Sequence, residues 1–307
     1  MNAGLQDKPA TRRQYSSHMS SWPMLDGTCT ASSWLQAIVD GPLRPLKQIG
    51  GHTGRYGYFS VAGSYRMLAL EAPGGLELPI GITVSAHIIN DALQSRSATI
   101  GCGRLVTRSG FTRVTANRDD QLRLEITCEQ AKIAARKMAH ELNSVGRPDE
   151  PQMVHDAVAT FEAVLFDDPS TRLENAVHSL IGLGFGSTPS GDDVISGTAA
   201  TLSAISQSSG DLSTKCCRIV DVLRKVIRHS HTKTTSLSVE LMSCAVHGYA
   251  PQCLRRYVNF ALNDGDISEA TSKLCAVGHS SGYFLATGAT LALRAISKQH
   301  KQEAFHA

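Results

Sequence analysis

Near residue 128 the hydrophobic pattern changes its period, and this switch limits the fold more than any other feature of the chain. From about 44 to 127 the sequence is punctuated by Gly and Pro. It carries short segments rich in Val, Ile, Tyr, Phe and Thr: Tyr58 to Val61, Tyr65 to Leu70, Leu78 to Val84, Arg104 to Thr107 and Leu122 to Thr127. Those lengths and compositions predict strands. Ala72-Pro-Gly-Gly75 and Asn117-Arg-Asp-Asp120 supply turn chemistry at hairpin positions between them. After Thr127 apolar residues recur at helical spacing, as in Ala131, Ala134, Ala135, Met138 and Leu142. The same spacing returns in Val154 to Phe161, Leu173 to Ile181, Ile219 to Ile227 and Leu254 to Leu262. Strands gathered first and helices gathered after predict an α+β fold, a β-rich N-terminal half followed by a mainly α-helical C-terminal half. The expected organisation is a mobile polar arm at 1–22, a β-rich domain at 23–128 and a helical domain at 129–307.

Charge and cysteine usage exclude several classes of function. Thirty Lys and Arg against 27 Asp and Glu leave a formal charge of +3, too balanced for a dedicated nucleic-acid or membrane-surface binder. No run of 18 apolar residues spans a bilayer, and no hydrophobic segment follows Arg12-Arg13 as an export signal would require. The eight cysteines form no C-x-x-C pair and no zinc-ligand spacing, so they read as free thiols of a cytoplasmic protein. A neutral or small anionic ligand fits this composition better than a macromolecule.

The strongest local signal is Gly182-Leu-Gly-Phe-Gly-Ser-Thr-Pro-Ser-Gly-Asp-Asp193, lying between two helical stretches. Gly184, Gly186 and Gly191 free the backbone to approach a ligand, Thr188 or Ser190 can cap the following helix, and unpaired N–H groups at a helix start favour an anion. The loop lacks the Gly-Lys-Ser/Thr ending of an ATP-binding loop, and a helix rather than a strand precedes it, which argues against a dinucleotide fingerprint. Asp192 and Asp193 complicate the electrostatics: a phosphate about 4 Å from an ionised Asp is opposed by about 4 kcal/mol at an effective dielectric near 20. Two resolutions stay open. A Mg²⁺ ion bridges acid and phosphate, or one Asp points away while the other accepts N–H donors from an amide-bearing substrate.

Two further helix starts are crowded with polar groups. Thr234, Thr235 and Ser238 open the segment from His231 to Gly248, next to Lys233. Gly278-His279-Ser280-Ser281-Gly282 opens the last helical stretch, where small residues at Gly282, Ala286, Gly288 and Ala289 admit a close neighbour. His279 beside two hydroxyls fits a general acid/base or a hydrogen-bond donor to a carbonyl. No Gly-x-Ser-x-Gly pattern points to covalent catalysis, and the vicinal Cys216-Cys217 pair sits on a helix where packing explains it.

In this order, over residues 181 to 293, the three motifs resemble the AllH-like family, named after a subunit of oxamate carbamoyltransferase. The resemblance rests on Thr188-Pro-Ser-Gly-Asp-Asp193 followed by Gly197, on Thr234, Thr235 and Ser238, and on Gly278-His-Ser-Ser-Gly282. The chain departs from the family pattern at Ser187, where Leu is common, and at Tyr283-Phe284, where an aromatic-Asp pair is common. The resemblance implies carbamoyl transfer between oxamate and phosphate, in which oxalurate yields carbamoyl phosphate and oxamate during ureide catabolism. It also implies that the chain is one component of a multi-subunit enzyme.

Carbamoyl transfer needs a held phosphate, an aligned nitrogen and donors for the developing oxyanion, and no redox cofactor. On that reading Gly184, Gly186 and Ser190 bind the phosphate, and His279 polarises the carbonyl. Asp192 or Asp193 orients the amide or a bound Mg²⁺. Thr188, Gly191, Thr234, Thr235, Ser238, Ser280 and Ser281 complete the substrate site. The alternative is a non-catalytic subunit that binds a metabolite, or a scaffold, with the chemistry on partner chains. A small-molecule kinase is disfavoured by the missing lysine loop.

Overall fold

The computed structural model describes residues 23–52, 54–165, 171–208, 211–263 and 265–303, so the arm expected at 1–22 lies outside the described residues. Eight strands form the N-terminal half: β1 (Met24–Ser32), β2 (Arg44–His52), β3 (Tyr56–Val61), β4 (Met67–Glu71), β5 (Gly81–Thr83), β6 (Thr99–Gly101), β7 (Arg104–Thr107) and β8 (Gly110–Arg118). They close into a barrel in the order β1-β5-β4-β3-β2-β6-β7-β8, with β8 returning to β1 in parallel. Closure removes the exposed edges that an open sheet of this size would present. Leu46, Phe59, Leu68, Leu70, Ile82, Ile100 and Leu105 fill the interior. A short helix α1 (Gln36–Val39) and the helix α2 (Ala86–Ser95) add Ile38, Val39, Ile88 and Ile89 to the same core.

The α+β class holds, while several local expectations change. Tyr65 is 87 % exposed, so the predicted strand begins only at Met67. Residues 78–80 curl, with the Gly81 N–H donating to the Leu78 carbonyl, and β5 shrinks to three residues. The turn at Ala72–Gly75 forms, its Gly75 N–H donating to the Ala72 carbonyl, but it makes no hairpin because β4 and β5 run parallel. Asn117–Asp120 is not a hairpin turn either. Leu122 to Thr127 joins no sheet: Gln121 bridges Tyr249, and Leu122 and Leu124 are buried in the helical core. Their alternation reports one buried face, which in this fold is supplied by helices.

The helical half consists of α3 (Cys128–Val145), α4 (Gln152–Val164), α5 (Thr171–Leu180), α6 (Ser190–Ser206), α7 (Asp211–Arg228), α8 (Ser236–Ala245), α9 (Gln252–Leu262), α10 (Ile267–Cys275) and α11 (Ser281–Glu303). A capping box fixes its start: the Gln130 N–H donates to Thr127 Oγ1 at 3.2 Å, and the Thr127 N–H donates to Gln130 Oε1 at 2.9 Å. Such reciprocal caps contribute about 1 kcal/mol. Helix α6 is buried from Ser190 to Ile205, so the expected apolar stripe is in fact an all-round buried helix at the centre of this half. It crosses α11 at very short range. A Cβ on Gly288 would lie 2.1 Å from the Val194 carbonyl oxygen, and one on Gly197 would lie 2.1 Å from that of Leu285. The small residues foreseen in α11 therefore admit a helix.

Where the two halves meet, β4 acts as a two-sided strand. Leu68 and Leu70 face the barrel interior, whereas Met67 and Ala69 pack outward against Leu237 and Cys244 of α8. Trp34 Nε1 and Arg66 Nε both donate to Glu240 Oε1 of α8, at 2.8 and 2.7 Å, and the Arg66 guanidinium lies over the Trp34 ring. Asp120 receives Arg118 from the barrel and Arg255 from α9.

Candidate functional site

All three polar helix starts meet around the Gly-rich loop. Gly182 has φ +76°, and a Cβ there would lie 2.2 Å from the Lys233 carbonyl oxygen, so the first two loops touch backbone to backbone. Asp192, buried on the first turn of α6, fastens them. Its Oδ1 accepts from the Gly182 N–H at 2.8 Å and its Oδ2 from the Thr234 hydroxyl. Burial raises the Asp192 carboxyl above its usual range, against the pull of the bonds from Thr234 and Gly182. Thr235 continues the seam: its hydroxyl donates to the Ser187 carbonyl at 2.6 Å and accepts from the Ser238 N–H at 3.1 Å, which caps α8. Ser238 is buried with its hydroxyl beside Asp192.

The third loop joins from the opposite flank. Thr188 Oγ1 and Ser281 Oγ lie 2.8 Å apart, although 93 residues separate them in sequence. Beneath that pair, Glu150 Oε1 accepts from Ser190 Oγ at 2.7 Å and from Ser280 Oγ at 3.0 Å, joining the starts of α6 and α11. Sequence reading missed Glu150. It sits between Pro148 and Pro151 in a connecting segment, with no motif around it.

The start of α6 is organised differently from the expectation. Neither Thr188 nor Ser190 caps it; Pro189 occupies the N-cap with no side-chain bond. The Gly191 N–H donates to the Leu183 carbonyl at 2.8 Å, and the N–H groups of Asp192 and Asp193 donate to the Pro189 carbonyl. These donors are therefore internal. Gly184, at φ +112°, packs its backbone against Ser190, while Gly186 stands in open space on the exposed rim next to Phe185.

A cleft of about 710 Å³ opens between this assembly and the outer wall of the barrel. Ser187, Thr188, Asp193, Gly278 and Ser281 line one side, and Arg55, Tyr58 and Glu71 belong to the barrel side. Asp193 is 5 % exposed, yet its Oδ2 has no hydrogen-bond partner among the described residues. Burial pushes its carboxyl well above the usual aspartate range, and the charges of Asp192 and Glu150 push the same way against the hydroxyls of Ser281 and Thr188. Across the cleft, burial lifts Glu71 to about 7, opposed by the Arg118 guanidinium and the Leu78 N–H. Sequence reading missed Glu71, Tyr58 and Arg55 too, since each lies in an ordinary strand or turn segment whose outward direction appears only once the barrel closes.

Asp192 turns into the protein, and Asp193 faces the cleft. Among the described residues no cluster of three or more His, Cys, Asp or Glu could hold a metal ion. His279 is exposed and is not among the residues lining the cleft. Lys233 is also exposed, with its ammonium 3.3 Å from His178 Nδ1.

Comparison with known families covers the same stretch. Residues 180–293 match the family model described as oxamate carbamoyltransferase subunit AllH. The match runs from the last residue of α5 into α11 and includes all three polar loops, while the barrel lies outside it. No curated protein and no solved structure matches the chain. Among the described residues no helix is long and apolar enough to cross a membrane.

Proposed function

We propose that this chain is a subunit of a cytoplasmic carbamoyltransferase that exchanges a carbamoyl group between oxamate and phosphate in allantoin breakdown, and that the cleft holds the small anionic substrate. The reading is carried by Asp193, whose buried Oδ2 makes no hydrogen bond among the described residues and which lines the cleft inside the stretch that matches the AllH family model. A buried carboxyl in this state either donates to a ligand carbonyl or accepts from an amide N–H. Thr188 and Ser281 supply hydroxyls beside it, suited to the oxygen on which charge develops as the carbamoyl carbon is attacked.

Among the described residues that line the cleft Arg55 is the one basic side chain, and it gives a carboxylate or phosphate a cationic partner. The internal bonding at the start of α6 moves anion binding from the helix end to the loop before it. The N–H groups of Phe185, Gly186, Ser187 and Thr188 have no protein acceptor among the described residues. No redox chemistry is required. Gly191 and Gly184 keep the loop pressed against its neighbours, and Asp192 with Thr234, Thr235 and Ser238 holds it in position.

The test is phosphorus NMR on the chain assembled with the subunits that co-purify with it. Oxalurate and phosphate are expected to give a carbamoyl phosphate resonance, and Asp193→Asn is expected to lower its rate of appearance by about a hundredfold or more. Absence of that resonance from the wild-type assembly overturns the proposal.

A further inference from the structure

We propose that Glu71, on the barrel wall, is the proton-transfer residue of the carbamoyl exchange, an assignment that rests on the reading just given. The geometry comes from strand period alone. Leu68 and Leu70 of β4 point into the barrel, Met67 and Ala69 point out onto α8, and Glu71 is the next outward residue, where the cover of α8 ends and the cleft begins.

Glu71 is 4 % exposed. The Leu78 N–H reaches Oε2 at 3.1 Å and Oε1 at 3.4 Å, which fixes the group without neutralising it. The close approach of Gly81, where a Cβ would lie 2.2 Å from Oε2, confines the side chain further. The groups that act on its titration are Arg118 beyond β5, with Asp120 and Glu77 opposing Arg118. Tyr58 of the adjoining strand and Cys253 of α9 also feel its charge. A carboxyl poised at about 7 exchanges a proton in either direction near neutral pH.

A phosphate oxygen bonds to the carbamoyl carbon, the bond from that carbon to the amide nitrogen breaks, and Glu71 gives its proton to the departing nitrogen. The hydrogen phosphate that attacked returns a proton to Glu71. In sum one proton moves from phosphate to amide, and none is gained or lost. In reverse, Glu71 takes the proton from the oxamate nitrogen as it attacks carbamoyl phosphate.

The experiment compares wild type with Glu71→Gln and Glu71→Asp in the assembled enzyme, by pH-rate profile and by calorimetric binding of carbamoyl phosphate. Glu71→Gln is expected to bind within about twofold of wild type, to lose about a hundredfold or more in kcat, and to lose the ionisation near neutral pH. Glu71→Asp is expected to keep that ionisation and part of the rate. A Glu71→Gln enzyme with wild-type kcat, or one that is slow with its pH profile intact, overturns the assignment. If the wild-type assembly makes no carbamoyl phosphate, the transfer reading fails on its own. Infrared difference spectroscopy of the wild-type chain against Glu71→Gln then decides Glu71, because Asp193 on the same cleft carries a raised carboxyl of its own and the band of interest is the one that the variant loses. A protonated-carboxyl band that titrates near neutral pH and shifts when oxamate is added retains Glu71 as a proton donor to an amide ligand, and a band indifferent to oxamate overturns it.

Discussion

Trp34 donates its indole N–H to Glu240 at 2.8 Å across 206 residues of sequence, in the same contact that receives Arg66 from the other side. Glu240 is 5 % exposed, so these two donors are what make its burial tolerable. The contact locks the barrel onto α8 and thereby sets the spacing of the two cleft walls. Replacing Arg66 by Ala leaves the carboxylate with one donor and is expected to lower stability by about 2 to 3 kcal/mol. Urea denaturation followed by tryptophan fluorescence measures this as a fall in midpoint.

The crossing of α6 and α11 gives a second prediction. Gly288→Ala places a Cβ against the backbone of Val194 with no flexible side chain to yield, and it is expected to cost at least 1 to 3 kcal/mol, about the usual cost of overpacking. Gly186→Ala meets nothing in space and carries only the strain of its positive φ, about 1 to 2 kcal/mol. Thermal unfolding should therefore separate the two, with the larger drop in Tm for Gly288→Ala.

The fold class was legible because the period switch is a direct imprint of which faces are buried. Residue pairings were not. The alternation at Leu122, Leu124 and Ile126 is the same whether the covering surface is a sheet or a row of helices, and here helices cover it. The three loops were legible as polar helix starts, and their convergence follows from contacts such as Thr235 with Ser187 that no local spacing encodes. Glu71 was invisible for a related reason. Its neighbours Met67 to Leu70 are buried on both faces, so no alternation in the sequence distinguishes the inward from the outward positions.

Asp193 sets a pH dependence whose sign can be derived. Its folded-state carboxyl titrates above the unfolded value of about 3.9, so the native state holds its proton more tightly. Its contribution to stability is complete below that unfolded value and is lost as pH rises towards the folded one. Glu71 acts in the same direction, over the window from about 4.3 unfolded up to about 7. Asp193→Asn removes one titrating group, so the variant should lose less stability than wild type between pH 4 and 7. Chemical denaturation at a series of pH values measures the difference, and a steeper decline in the variant contradicts the burial argument.

Thr188 and Ser281 should behave as a coupled pair. Thr188→Val and Ser281→Ala each remove one side of the 2.8 Å contact, and the double variant is expected to cost less than the sum of the single ones, by about 0.5 to 1.5 kcal/mol. The cycle can be read by unfolding and, separately, by calorimetric titration with oxamate.

The parallel seam between β1 and β8 has a kinetic consequence. As the chain emerges from a ribosome, Met24–Ser32 must wait for Gly110–Arg118 before the cylinder can shut. The outward surface of β4 then stays uncovered until Leu237 and Cys244 are made. Long-range closure of this kind slows folding and leaves apolar surface open to chaperones or to aggregation in the interval.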